Sequence, residues 1–173
     1  AGMVHTVAFR VADGAALDFW AERLRGEGIG SERVAGADGA DTLRFADPEG
    51  LTLELIAEDV PDAPLVPDAP DIPPEHALRG FAGVRAYTTD PERSRPVLER
   101  ILGFTAGEDG RWEARGGERG GWIEYDAPPA ERGIPGAGTV HHVAWATERA
   151  EQQAWQTRVS EAGLHATPIV DRF

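Results

Sequence analysis

A chain of 173 residues with 41% hydrophobic residues is long enough for one ordinary domain or two small ones, and it contains no run of the ~18–20 apolar residues that a membrane helix needs. The formal net charge of −13 excludes nucleic acid and anionic membranes as partners, since both attract clustered Lys and Arg. The sequence has no cysteine and no export signal at Ala1, so we expect a soluble cytoplasmic protein whose metal ligands could only be His, Asp and Glu.

Three segments of the chain begin with similar strand-like runs, which indicates an internal repeat. They are Met3–Val11 (MVHTVAFRV), Gly80–Thr88 (GFAGVRAYT) and Thr139–Thr147 (TVHHVAWAT). A helical stretch follows each run and ends at a glycine, the residue that most easily adopts the left-handed conformation found after helices. These glycines are Gly28, Gly103 and Gly163. The chain is therefore expected to repeat one strand-helix unit three times.

Apolar residues in the first and third helices follow the i, i+3, i+4, i+7 spacing of a buried helix face. In the first helix they are Leu17, Trp20, Ala21 and Leu24, and in the third they are Trp155, Val159 and Ala162. The second helix has Asp90 and Pro91 at its start, which suit a cap and a first turn. Pro96 lies further along, and we expect it to kink or delay this helix.

Short strands complete the first two repeats. Residues 33–35, 42–45 and 51–57 form the predicted strands of the first, and residues 104–105, 111–114 and 121–125 those of the second. The third repeat supplies only one further strand-like stretch, at 165–170. The sequence thus predicts an α+β fold of repeated βαβββ modules, in which two modules pair into a curled mixed-sheet barrel and a third module is incomplete.

Two segments rich in proline separate the repeats. The first has proline at every third position between acidic residues, a pattern that favours an extended polyproline-type connector. The second is rich in both glycine and proline and reads as a loop. The predicted organisation is a first module at 1–57, an acidic linker at 58–78, a second module at 79–126, a Gly/Pro loop at 127–138, and a partial β-α-β module at 139–173.

The third strand-like run contains two adjacent histidines, His141 and His142. Neighbours on a strand point to opposite faces, so only one of the two can face a given side. His141 shares its side with bulky residues, typical of packing under a helix. His142 shares its side with two alanines, which would leave room in the hollow of a curled sheet. A neutral imidazole there could bind a divalent metal, or it could be an ordinary hydrogen-bonded strand residue.

No histidine stands at the matching positions of the first two repeats, where Thr6 and Gly83 occur. In the first repeat, alternation places Thr6, Ala8 and Arg10 in the hollow and His5 on the helix side. Glu54 and Glu124 lie at inward-facing positions of the last strands. Both are weaker candidates for metal ligands, and the alternative is that they are simply solvated polar residues.

Five segments together carry a likeness that covers essentially the whole chain. They are Val4–Val11, Phe19–Leu24, Phe45–Leu51, Gly138–Trp145 and Thr167–Arg172. These segments resemble the vicinal oxygen chelate superfamily, which includes glyoxalases, bleomycin resistance proteins and extradiol dioxygenases. Within it they are most similar to the hydroquinone-type ring-cleaving dioxygenases. The GTVHH and TPIVDR motifs are the most specific part of this resemblance.

The resemblance implies a four-module protein with one Fe(II) or Mn(II) in a two-His, one-carboxylate site that binds a hydroquinone or catechol-like aromatic together with O₂. It implies that His142 is a metal ligand and that His141 and Arg172 are catalytic residues that steer protons or charge. The other ligands are expected outside residues 1–173. We therefore expect the intact protein to be an enzyme, this chain alone to be inactive, and the assembly to be a homo-oligomer such as a dimer.

Two further hypotheses are open at this point. A metal-free binding protein of the bleomycin-resistance type would hold an aromatic or cationic ligand in the hollow between the first two modules, aided by Trp122. Alternatively, a metal site could be assembled from His142, Glu54 and Glu124, for instance across a dimer.

Overall fold

A computed structural model of the chain describes residues 2–36, 39–107, 110–131, 133–134 and 136–171. Its strands are β1 Val4–Val11, β2 Ser31–Ala35, β3 Asp41–Ala46, β4 Thr52–Ala57, β5 Phe81–Tyr87, β6 Thr105–Ala106, β7 Arg111–Arg115 and β8 Gly120–Asp126. Its α-helices are α1 Gly14–Gly26 and α2 Gln152–Glu161. Neither helix, within the described ranges, has the length and apolar content needed to cross a bilayer.

The eight strands form one mixed sheet in the order β2-β3-β4-β1-β5-β8-β7-β6. Strand β1 runs parallel to β4, β5 runs parallel to β8, and the antiparallel pair β1–β5 joins the two modules. The predicted α+β fold of paired βαβββ modules is confirmed. The sheet does not close into a ring, since β2 and β6 each pair on one side only among the described residues.

Helix α1 forms where a capping residue precedes the predicted apolar face. The Asp13 Oδ1 atom accepts a hydrogen bond of 3.0 Å from the Ala16 N–H, which satisfies one of the free donors at the helix start. Leu17 and Leu24 are buried against one face of the sheet. Gly28 follows the helix with a φ of 76°, the left-handed conformation predicted for it.

The helical part of the second module is short and irregular. A 3₁₀ turn at Pro91–Arg93 is followed by a π-helix at Pro96–Ile101. Proline has no N–H to donate and is tolerated only in the first helical turn, so Pro96 delays the helix as predicted. Leu98 of this turn is buried against Phe104 and Trp112, which form the small apolar core of the second module.

The third repeat is only partly as predicted. Helix α2 forms, but residues 140–147 and 164–171 adopt no strand, so the prediction of a β-α-β arrangement is wrong for its strands. A strand needs hydrogen-bonding partners along its edge, and this segment pairs with no strand of the described sheet, in which β1 and β5 of the first two modules pair with each other. Trp145 packs edge to face on Phe104 of the second module, with ring centroids 4.8 Å apart.

Candidate functional site

The two histidines singled out by the sequence lie exposed on the extended segment before α2. The Nδ1 atoms of His141 and His142 are 3.0 Å apart, and the ring planes are nearly perpendicular. Such a contact cannot occur between neighbours on a regular strand, whose side chains point to opposite faces. The prediction that the two rings face opposite sides is therefore wrong, because no strand pairing imposes the alternation here.

The described residues do not assemble a complete metal site. Within the described ranges, no group of three or more His, Cys, Asp or Glu side chains could hold a metal ion. The set of His142, Glu54 and Glu124 is accordingly not brought together within this chain. Arg172 lies outside the described residues. The donor set present is a pair of imidazoles, which does not by itself fit a two-His, one-carboxylate centre.

The hollow is the face of the paired modules opposite helix α1, and buried charged residues fill it. As the alternation predicted, Thr6, Ala8 and Arg10 of β1 face this side. The buried polar and charged side chains among the described residues are Thr6, Arg10, Thr42, Glu54, Arg111 and Glu124. Charged groups are rarely buried without partners, so we expect each of these charged side chains to be paired with an opposite charge or a hydrogen-bonding group.

Both candidate carboxylates of the hollow are paired with arginines. Glu54 Oε1 accepts hydrogen bonds from Arg44 Nε and Nη2 at 2.9 and 2.7 Å. Glu124 lies between Arg85 and Arg111, with N–O distances of 3.2 and 3.3 Å. Burial raises the pKa of Glu124 and outweighs the opposing effect of the two arginines. Carboxylates neutralised in this way would have to give up their cations before they could bind a metal.

Trp122, which the hypothesis of a metal-free binding protein placed beside the ligand, is enclosed. The residue is 4% exposed, its ring centre lies 4.2 Å from the Arg111 guanidinium, and Gly83 packs closely against the ring. The indole Nε1 has no hydrogen-bond partner among the described residues. The cavity at the mouth of the hollow has a volume of about 40 Å³. A site for a small organic ligand usually has several hundred Å³, so this cavity has no room for an aromatic ligand.

An imidazole–carboxylate pair at the seam between the modules was missed by the sequence reasoning. His5 Nε2 is 2.9 Å from Asp126 Oδ2, and the His5 ring stacks on Tyr87 at 3.9 Å. Asp126 also accepts hydrogen bonds of 2.8 and 2.7 Å from Arg85. A bulge between Val4 and Thr6 shifts the β1–β5 register at this residue. The prediction from strict alternation that His5 faces the helix side is therefore wrong, because a bulge changes the side of the sheet to which a strand residue points.

The protonation of His5 is expected to make the stability of the chain depend on pH. Burial lowers the pKa of His5 below its ordinary value of 6.5 and outweighs the hydrogen bond and negative charge of Asp126, which raise it. The unfolded chain therefore binds a proton at a higher pH than the folded one. The free energy of unfolding should fall as the pH decreases below about 6.5, and His5→Gln should flatten this dependence between about pH 5 and pH 7.

Urea unfolding at several pH values in this range measures the effect. His165→Gln, at an exposed position of the tail, is the matched control and should keep the slope of the parent chain. An unchanged slope in His5→Gln would show that His5 does not titrate differently in the folded and unfolded states.

Comparison with other proteins places the chain among larger relatives. No family model matches it. The Bacillus subtilis protein named "Putative ring-cleaving dioxygenase MhqO" is 31% identical over 176 residues, which cover 99% of this chain and 55% of that protein. "Putative ring-cleaving dioxygenase MhqE" of the same organism is 34% identical over 174 residues, which cover 99% and 56%.

A solved structure also matches nearly the whole chain. The crystal structure titled as a "putative dioxygenase from Bacillus subtilis" superposes with a TM-score of 0.84 and 30% identity, and the match covers 99% of this chain and 56% of that one. The chain therefore spans just over half the length of the relatives that it matches.

Proposed function

Because this chain belongs to the vicinal oxygen chelate superfamily, we propose that it forms part of a metal-dependent dioxygenase that opens the ring of a hydroquinone or catechol-like aromatic with O₂. The observation that carries the proposal is the 34% identity, over 99% of this chain, to a protein named as a ring-cleaving dioxygenase. The activity is proposed for the whole protein, since the chain covers 56% of that relative.

In this proposal His142 supplies one ligand of an Fe(II) or Mn(II) site, and the remaining ligands come from residues beyond those described. A metal in such a site would supply open coordination positions for the aromatic oxygen and O₂. Two observations support this role. Both histidines are exposed, and among the described residues their rings contact each other and are not hydrogen-bonded to a carboxylate. His141 would hold a proton beside the ligand, and Arg172 would orient an anionic substrate oxygen.

Replacing His142 by alanine in the whole protein should weaken metal binding at least about 100-fold, since even residues that only support a metal ligand are worth about 10–100-fold in affinity. The protein should be expressed from its complete reading frame and loaded with Fe(II) or Mn(II). Metal content by elemental mass spectrometry and O₂ uptake with hydroquinone are then measured on the same samples. We expect stoichiometric metal and O₂ uptake in the parent and loss of both in His142→Ala.

The matched control is His165→Ala, which removes an exposed histidine of the same tail and should preserve both properties. A parent protein without stoichiometric iron or manganese, and without O₂ uptake on any hydroquinone, would refute the proposed activity. Retention of metal by His142→Ala, with an active parent, would refute only the assignment of the ligand.

A further inference from the structure

The linker between the modules places two carboxylates in the mouth of the hollow. Glu58 Oε2 lies 2.9 Å from Arg10 Nε, and Asp62 Oδ2 lies 3.4 Å from Arg10 Nη1. Arg10 belongs to the first module, whereas Arg115, which donates to Asp62 Oδ1 at 2.5 Å, belongs to the second. One short segment of the linker is therefore held by cations from both modules.

Asp62 is bound in the manner of a ligand. Its side chain is 6% exposed, and its Oδ2 atom also accepts a hydrogen bond of 3.2 Å from the Gly120 backbone N–H. Burial alone would raise the pKa of Asp62, but the hydrogen bonds from Arg115 and Gly120 and the charges of Arg115 and Arg10 outweigh it and lower the pKa. The group is thus bound as an anion by two guanidinium groups and a backbone amide, a recurring combination for carboxylate recognition.

The linker around Asp62 is much less enclosed than the carboxylate itself. Leu65 and Val66, a few residues on, are 54% and 42% exposed. The neighbouring backbone is held at two points, where Arg119 Nη1 donates to the Ala63 carbonyl at 2.9 Å and the Leu65 N–H donates to the Arg79 carbonyl at 3.1 Å. Asp62 is therefore the side chain of this exposed stretch that enters the mouth of the hollow.

Space for a small molecule lies directly beside this carboxylate. The cavity of about 40 Å³ is lined by Arg10, Glu58, Asp62 and Arg79, among others. Removing the Asp62 carboxylate would join its volume to this cavity, because alanine lacks the three outer atoms of the side chain. Arg10 would still face Glu58, and Arg115 would still face Glu113, at 2.9 Å each. Arg115 Nη1 and the Gly120 N–H would lose the acceptor that Asp62 provides, whereas Arg10 Nη1 would keep the Phe81 carbonyl at 2.8 Å.

We propose that Arg10, Arg115 and the Gly120 N–H form a binding site for small carboxylates at the mouth of the hollow, and that Asp62 occupies it as a tethered ligand. The site takes a free carboxylate of the size of formate or acetate when the Asp62 side chain is absent from it. The linker is accordingly a strap that joins the two modules through Asp62, beside a second carboxylate, Glu58, that lies near Arg10 and Arg111. This inference is independent of the proposed dioxygenase function.

The test is a titration of the Asp62→Ala variant of residues 1–173 with sodium formate, followed by thermal unfolding. Sodium chloride keeps the ionic strength constant, so that general screening does not contribute. We expect Asp62→Ala to unfold at a lower temperature than the parent chain, and formate to raise its midpoint along a saturating curve. The parent chain and the control Asp68→Ala, which alters an exposed aspartate of the same linker, should show no saturating response.

A double variant, Asp62→Ala with Arg115→Met, should lose the formate response because one of its two guanidinium donors is gone. A response to formate no larger than that to chloride in Asp62→Ala would overturn the proposal, and so would an equal response in the parent chain. Should Asp62→Ala fail to fold, the same titration is made on Asp62→Ser, whose shorter side chain also leaves the site open.

Discussion

Replacing Arg10 by methionine is expected to lower the free energy of unfolding by about 3–5 kcal/mol, the usual cost of removing one partner from a buried ion pair. The Arg10 side chain is 7% exposed and faces the carboxylates of Glu58 and Asp62. It also donates to the carbonyls of Phe81 and Gly120 at 2.8 and 3.2 Å. Methionine would fill most of the volume but leave both carboxylates and both carbonyls with fewer donors. Urea unfolding at pH 7 measures the loss.

Arg25→Met is the control for this prediction. Arg25 pairs with Glu22 one helical turn away, and its side chain is 71% exposed. Exposed pairs of this kind contribute about 0.5 kcal/mol or less, so the control should unfold close to the parent chain. A loss in Arg10→Met as small as that of Arg25→Met would mean that the charges in the hollow contribute little to holding the modules together.

Gly83→Ala is expected to destabilise the chain by at least about 3 kcal/mol, at the upper end of the cost of overfilling a packed interior. A Cβ atom at Gly83 would lie 2.5 Å from the Trp122 carbonyl oxygen and would also clash with the indole ring. The carbonyl cannot move away freely, because Gly83 and Trp122 are paired in the parallel β5–β8 ladder. The indole also packs against the Arg111 guanidinium, which lies 4.2 Å from the ring centre.

Thermal or urea unfolding of Gly83→Ala tests the close packing of the hollow. Gly30→Ala is the matched control, since a Cβ atom there would meet nothing within 4 Å. We expect the control to stay within about 0.5 kcal/mol of the parent chain, as surface substitutions usually do. Equal stability of the two variants would show that the hollow can rearrange to admit a methyl group.

The parts of the fold that depend on local spacing could be predicted from the sequence. A period of 3.6 placed Leu17 and Leu24 on the buried face of α1, and a period of 2 placed Thr6, Ala8 and Arg10 in the hollow. Proline chemistry located the delayed start of the second helical segment at Pro96. Each of these features is fixed by neighbours within one turn or one strand.

Features that depend on a distant partner could not be predicted in this way. Residues 140–147 have the composition of a strand, but composition does not supply the neighbour with which a strand must pair. The bulge that turns His5 towards Asp126 depends on the register between β1 and β5. The filling of the hollow depends on Arg85 and Arg111, which the sequence analysis did not consider. Alternation of side chains along β5 and β7 places both arginines on the inward-facing side, and this pattern could have identified them.

The open sheet described above leaves two strands with unpaired backbone groups, and both are poor templates for a neighbouring molecule. Strand β2 begins with Ser31, Glu32 and Arg33, all exposed, and its charged side chains would have to be desolvated before another strand could add to it. Strand β6, at the other end, is only two residues long. Among the described residues, the sheet is thus protected at both ends against the edge-to-edge stacking through which open sheets aggregate.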